Sequence, residues 1–269
     1  MSSDSNTRKK RTKILVIKFG GSVITNKNKP YSFRENVVLR LINELKEFMN
    51  KSLNKKIILI HGGGSFGHAK VKECLEGHGY IDKKCYTETA HVMMILNSLI
   101  MRAIIDAGID AISIPTRSIF IKSGNELSMY SCIIDAHLRR GVIPVLFGDV
   151  IIDRKSGYQV LSGDTIAWYV SKVFNADEIY FVTDVDGLFD KDPKIFKNAK
   201  LIKEIRSKEL MDLHYGKSED VTGGMLNKVM GGLDIGVKDV KVIVLNGLIK
   251  GNLYNALMNE PFVGTVIWY

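Results

Sequence analysis

From residue 14 onward, short runs of Ile, Val and Leu alternate with longer stretches in which apolar side chains recur every three or four positions. The runs predict strands over 14–18, 56–60, 111–114, 142–146, 178–182, 241–245 and 265–268. The longer stretches predict helices over about 34–49, 88–106, 134–140, 164–174 and 225–236. Strands apolar at nearly every position belong to a parallel sheet covered on both faces, and their alternation with helices is that of an α/β fold. Residues 1–12 are polar and charged without periodicity, so a disordered basic leader is expected before a single domain over 13–269.

Ligands of such sheets sit beyond the carboxyl ends of the strands, and the glycines mark those ends. Gly20-Gly21-Ser22 follows the first strand, Gly62-Gly63-Gly64 the second, Gly148-Asp149 a middle one and Thr183-Asp184-Val185-Asp186-Gly187 a later one. One shared cleft explains four such loops better than four unrelated turns. The run Gly62-Gly63-Gly64-Ser65-Phe66-Gly67 satisfies G-x-G-x-x-G, yet it follows the second strand and lacks the later acidic ribose contact of a dinucleotide site. It also opens like a Walker loop but continues His68-Ala69 where Lys and Ser or Thr are required. What remains is an anion cradle of backbone N–H groups at a helix start.

Lys18 closes a buried strand just before a glycine loop, where an ammonium needs a counter-charge such as a phosphate. Thr222-Gly223-Gly224-Met225 opens a helix with Lys228 one turn in, repeating the combination. Asp164, taken alone, reads equally as a first-turn acid favoured by the helix dipole. Asp184, Asp186, Asp190 and Asp192 lack the spacing of a calcium loop and fit a nucleotide-binding loop better. His61 ends an apolar strand and reads as structural, whereas His68 follows three glycines and can donate a hydrogen bond to an anion. Tyr86, Thr89 or Ala90, and Met93 share one helical face after the glycine loop, either as ordinary core or as a pocket wall.

Composition narrows the class. With 269 residues, 45% hydrophobic and 25% charged, the chain builds a substantial core. The formal charge of +9 is partly concentrated in the leader, and without a nucleic-acid-binding motif it suits polyanionic ligands rather than nucleic acid. Cys74, Cys85 and Cys132 show no paired spacing, so reduced thiols and no metal site are expected. No uninterrupted apolar run approaches the ~18–20 residues of a membrane span, and no signal-peptide pattern opens the chain, so a cytoplasmic protein is expected.

The order of these loops, from Lys18-x-Gly20-Gly21-Ser22 through His61-Gly62-Gly63-Gly64, Gly148-Asp149, Ser162-Gly163-Asp164 and Thr183-Asp184 to Gly223-Gly224-Met225-x-x-Lys228, resembles the amino acid kinase superfamily from residue 14 to the end. The fuller strings Lys18-Phe19-Gly20-Gly21-Ser22-Val23-Ile24-Thr25-Asn26-Lys27 and His61-Gly62-Gly63-Gly64-Ser65-Phe66-Gly67-His68 look like isopentenyl phosphate kinases, although fosfomycin kinases share the histidine. The resemblance implies an open αβα sandwich with a mainly parallel sheet, an acceptor-binding part over about 13–150 and a nucleotide-binding part over about 151–269. It implies ATP with Mg²⁺, an isoprenoid phosphate as acceptor and a homodimer. Lys18, Lys27 and Lys228 are expected to act on the transferred phosphoryl group, with Asp164 orienting them. Gly62, Gly63, Gly67, His68 and Gly148 are expected to hold the acceptor phosphate, and Tyr86 and Met93 its tail. Gly20, Gly21, Ser22, Thr183, Asp184, Gly187 and Gly224 are expected at the nucleotide. Asn26 departs from the pattern. Fosfomycin, UMP, acetylglutamate or glutamate as acceptor, or a non-catalytic nucleotide-binding protein, are the competing readings.

Overall fold

The structure, a computed structural model, describes residues 12–52, 54–191, 193, 195–215 and 223–269. The chain runs from β1 (Lys13–Phe19) through α1 (Gly21–Ile24) and α2 (Glu35–Lys51) to β2 (Lys55–His61), α3 (Gly64–His78) and α4 (Lys83–Asp106). Next come β3 (Ala111–Ser113), α5 (Thr116–Ile119), β4 (Phe120–Ser123), β5 (Glu126–Met129), α6 (Ser131–Arg139) and β6 (Ile143–Phe147). The hairpin β7 (Asp149–Asp153) and β8 (Gly157–Leu161) leads to α7 (Gly163–Phe174) and β9 (Glu178–Thr183). The remainder holds β10 (Glu204–Arg206), α8 (Ser207–Tyr215), α9 (Gly223–Ile235), β11 (Lys241–Asn246), α10 (Asn252–Met258) and β12 (Gly264–Trp268).

Eight strands form the central sheet in the order β10-β12-β11-β9-β1-β2-β6-β3, parallel except where β11 meets β12. Side chains of a strand alternate between faces, and the two cores divide accordingly. Leu15, Ile17 and Phe19 of β1 join Leu59, Val182 and Leu245 beneath α2, α4 and α10. Val16 of the same strand joins Ile60, Phe181 and Val244 against α6, α7 and α9. Lys18 has the parity of Val16, so the strand's pleat delivers its ammonium to the α7 and α9 side of the sheet. The result is the expected αβα sandwich.

Three expectations change. A second, four-stranded sheet in the order β5-β4-β7-β8 was not foreseen, because β4, β5 and β8 are short and only partly buried, and the apolar run of β7 spans just three residues, Val150 to Ile152. The thiols of Cys74 and Cys85 are not free but form a disulfide, since α3 and α4, joined by the short turn 79–82, bring their Cα atoms to 5.8 Å; Cys132 is free and exposed. Finally, α4 does contain an 18-residue window of mean hydropathy 1.3, long and apolar enough by composition to span a bilayer. Half of that window is buried in the fold, with Met93, Leu96, Ile100 and Ile104 in the core beneath the sheet, which accounts for its apolarity without a membrane. The leader through residue 11, together with Asp192, Lys194 and Thr222, lies outside the described residues.

Candidate active site

The glycine loops meet backbone to backbone. A Cβ on Gly21 would stand 2.3 Å from the Gly64 amide nitrogen, and one on Gly62 would stand 2.7 Å from the Gly21 nitrogen, so these loops close on each other only as glycines. Gly64 adds a φ of +49° at the start of α3. Their contact lets β1 and β2 open into one cleft of about 560 Å³.

At its centre Asp164, in the first turn of α7, lies between two ammonium groups. Its Oδ1 is 2.7 Å from Lys18 Nζ and its Oδ2 accepts a 2.5 Å hydrogen bond from Lys228 Nζ. Ser162 caps the helix by accepting from the Thr165 amide, which fixes where that turn begins. Burial alone would raise the Asp164 pKa, but the two lysines outweigh it and hold the carboxyl down at about 2. Lys18 is only 4% exposed; burial pushes its ammonium below the usual lysine value, Asp164 opposing that and Lys228 adding to it. The trio carries a net positive charge in a poorly hydrated place, where it acts strongly on an anion.

A second charged contact joins the loops at the cleft's rim. Lys27 Nζ lies 2.9 Å from Asp184 Oδ2, and Ser22 Oγ donates to Asp184 Oδ1 at 2.6 Å. Burial works against the ionised Asp184, yet Ser22 and Lys27 bring its pKa below the usual carboxylate value. Asn26, the departure from the family pattern, accepts from the Asn28 amide and so shapes the turn that carries Lys27.

His61 is buried, stacked 5.2 Å from Phe147, with Nε2 facing the Asn97 amide at 3.1 Å and Nδ1 facing the Gly62 carbonyl at 3.1 Å. The carbonyl places the proton on Nδ1 and leaves Nε2 to accept. Burial lowers its pKa to about 4, so it is a neutral strut beneath the glycine loop. His68 is exposed and lines the cleft. Partial loss of water against the cleft wall, then the charge of Lys18 and Lys27, shifts its pKa down, favouring a neutral ring that donates one hydrogen bond.

Residues 13–246 match the Amino acid kinase family. The chain belongs to the amino acid kinase family. Among curated relatives, the isopentenyl phosphate kinase of Methanocaldococcus jannaschii is 35% identical over 260 residues, covering 92% of this chain and 96% of its own. That of Thermoplasma acidophilum is 32% identical over 261 residues, covering 94% and 100%. A solved structure of isopentenyl phosphate kinase aligns with a TM-score of 0.80 at 26% identity, over 94% of this chain and 99% of that one.

In this amino acid kinase most of the residues singled out from sequence converge. Lys18, Gly20, Gly21, Ser22, Lys27, Gly62, Gly63, Gly67, His68, Met93, Gly148, Asp164, Thr183, Asp184, Gly187 and Lys228 all line the cleft. Gly224 belongs to the first turn of α9, one turn before Lys228. Tyr86 does not line it, its ring stacking on Tyr158 at 4.5 Å. The amides of Gly62 and Gly148 are already spent on Phe19 and His61 carbonyls, so these two glycines shape the cradle rather than donate to it.

Sequence reasoning missed Val71, Val150 and Val160, which with Thr89 and Met93 give one end of the cleft an apolar wall. Only Val71 carried a usable signal, one turn beyond His68 on the same helix; Val150 and Val160 belong to the sheet the pattern did not reveal. It named Asp149 beside Gly148 but gave it no role; its buried carboxylate accepts from Arg117 Nη1 at 2.7 Å. Burial outweighs that partner and raises the Asp149 pKa to about 6.

Proposed function

We propose that the protein phosphorylates isopentenyl phosphate to isopentenyl diphosphate with ATP, a step of isoprenoid synthesis. The observation that carries this reading is a single cleft joining a Lys18–Asp164–Lys228 centre to an apolar wall of Val71, Met93, Val150 and Val160. A small acceptor with one phosphate and one hydrocarbon tail matches both ends. No arginine is among the cleft's described lining residues, which disfavours a carboxylate acceptor held bidentately. The similarity to isopentenyl phosphate kinases over nearly the whole chain supports the same reading.

In the proposed reaction an acceptor phosphate oxygen attacks the γ-phosphorus of ATP, the bond to the bridging oxygen breaks, and ADP leaves. Neither a covalent intermediate nor a strong base is required; the demand is in-line placement and positive charge. Lys18 and Lys228 neutralise the equatorial oxygens, and Asp164 holds both ammonium groups in register. Lys27, on exchanging Asp184 for phosphate, supplies a third charge. His68 and the Gly63–Gly64 backbone at the start of α3 receive the acceptor phosphate, while Thr183, Asp184 and Gly187 face the nucleotide. Among the described residues no three His, Cys, Asp or Glu cluster as a metal cage, and Asp164 at the centre and Asp184 at the rim are both engaged by side chains. This donor set fits Mg²⁺ carried by the nucleotide, where it would neutralise phosphate charge.

The working form proposed is a cytoplasmic homodimer. Ile95 and Leu99 on α4, and Ile112 on the edge strand β3, are 44%, 40% and 40% exposed, an apolar surface suited to a second copy. The deciding experiment is ADP release over isopentenyl phosphate, dimethylallyl phosphate, fosfomycin, UMP and acetylglutamate. Turnover with the isoprenoid phosphates alone is expected; turnover confined to a nucleotide or a carboxylate would overturn the assignment.

A further inference from the structure

The two helices that wall the acceptor end are stapled together by a cysteine pair. From α3 come Gly67, His68 and Val71, and from α4 come Thr89 and Met93. Cys74 lies one turn beyond Val71, and Cys85 one turn before Thr89, whose Oγ1 is 3.8 Å from the Cys85 sulfur.

Beyond Gly67, the described side chains of α3 are exposed or half-buried except Cys74, which is 7% exposed. The second half of that helix therefore has little apolar burial to fix it. Among the described residues a further tie of α3 to α4 beyond the Gly67–Met93 contact is the ion pair of Lys70 with Glu88 at 2.6 Å, a partly solvated contact of small worth.

We propose that Cys74 and Cys85 are a reversible thiol–disulfide site that sets the affinity of the cleft for its acceptor. Oxidised, the pair pins α3 to α4 and holds His68 and Val71 opposite Thr89 and Met93. Reduced, the second half of α3 is released and the acceptor end loosens. The nucleotide end is built from other elements, through Thr183, Asp184, Gly187 and Met225, and does not feel the change.

The chemistry is ordinary exchange with glutathione. A Cys thiolate attacks glutathione disulfide, breaking its S–S bond and expelling one glutathione thiolate. The second Cys thiolate then attacks the mixed disulfide, forms the Cys74–Cys85 bond and expels the other glutathione. Two electrons and two protons leave the cysteines for the two glutathione molecules, and reduction is the reverse. Both sulfurs are buried, so exchange requires the last turns of α3 to open, and those turns are its exposed part.

The inference rests on the acceptor assignment above, and the test separates the two. The full chain is equilibrated in glutathione buffers of graded potential. KM is measured for isopentenyl phosphate and for ATP, and hydrogen exchange is followed across 70–78, with mass spectrometry reading the thiol state. Reduction is expected to raise the acceptor KM about tenfold, to leave the ATP KM unchanged and to speed exchange in α3. Cys74→Ala with Cys85→Ala is expected to show the reduced values in every buffer, and Cys132→Ser the full response. Should isopentenyl phosphate not be a substrate, the acceptor found by the panel takes its place and the exchange measurement stands. Thiols that stay reduced throughout, or an oxidised form with the KM and exchange of the reduced one, would overturn the proposal.

Discussion

At the residue scale the controlling feature is one carboxylate shared by two ammonium groups. Because Lys18 and Lys228 both contact Asp164 and are proposed to act on the same developing charge, each change to Ala is expected to lower kcat by roughly 10²–10³. Together they should cost less than the product of the two, since residues of one unit are not additive. Steady-state kinetics on the purified variants, with circular dichroism for the fold, checks both points; near-normal turnover in either single variant would return that lysine to the surface. His68 is expected to matter to the acceptor alone. His68→Ala should lower kcat/KM for isopentenyl phosphate by about 1.5–3 kcal/mol, the range for a hydrogen bond to a charged group, with the ATP KM intact. Two aspartates of the cleft carry opposite pH signatures. Asp149, raised from 3.8 to about 6, contributes stability that is complete below 3.8 and lost as pH rises through about 6. Asp164, lowered to about 2, contributes stability present above 3.8 and lost as pH falls through about 2. Melting temperature against pH should therefore flatten between about 4 and 6 in Asp149→Asn, and between about 4 and 2 in Asp164→Asn.

At the element scale α3, α4 and the β7–β8 hairpin supply the apolar wall proposed to select the acceptor's tail. Met93 is packed so closely on α3 that a Cβ at Gly67 would stand 2.9 Å from its sulfur, leaving its side chain no retreat from the cleft. Met93→Ala with Val160→Ala removes wall from two of the three elements. Each buried CH₂ contributes ~0.8 kcal/mol, so competition between isopentenyl and geranyl phosphate should shift toward the longer tail. Tyr86→Ala should leave that preference alone, because Tyr86 packs on Tyr158 outside the cleft. An unaltered preference in the folded Met93/Val160 variant would assign chain length to other elements.

At the scale of the whole molecule, the exposed apolar residues of α4 and β3 are expected to be covered by a second copy. Sedimentation should give a dimer for the wild type and a monomer for Ile95→Asp with Leu99→Asp; a monomeric wild type would remove the dimer from the account. The same scale separates what could be read in the chain from what could not. Lys18 was legible because a charge ending an apolar strand before two glycines violates the pattern around it, and Lys228 because it stands one turn into a helix opened by two glycines; Asp164 read equally as a first-turn acid, and only the family resemblance gave it a role. The parallel sheet was legible because strands buried on both faces are apolar at nearly every position. These are local signals, carried by neighbours in sequence. The pairing of Cys74 with Cys85, the bond of Arg117 to Asp149 and the apolar wall built with Val150 and Val160 have no such signal. Each depends on how separate elements are placed in space, and the hairpin carrying Val150 and Val160 pairs a mostly buried strand with one that is largely exposed or half-buried, so no single period marks it. Burial of a strand or helix face writes itself into local composition; the meeting of two faces is decided only when the chain packs.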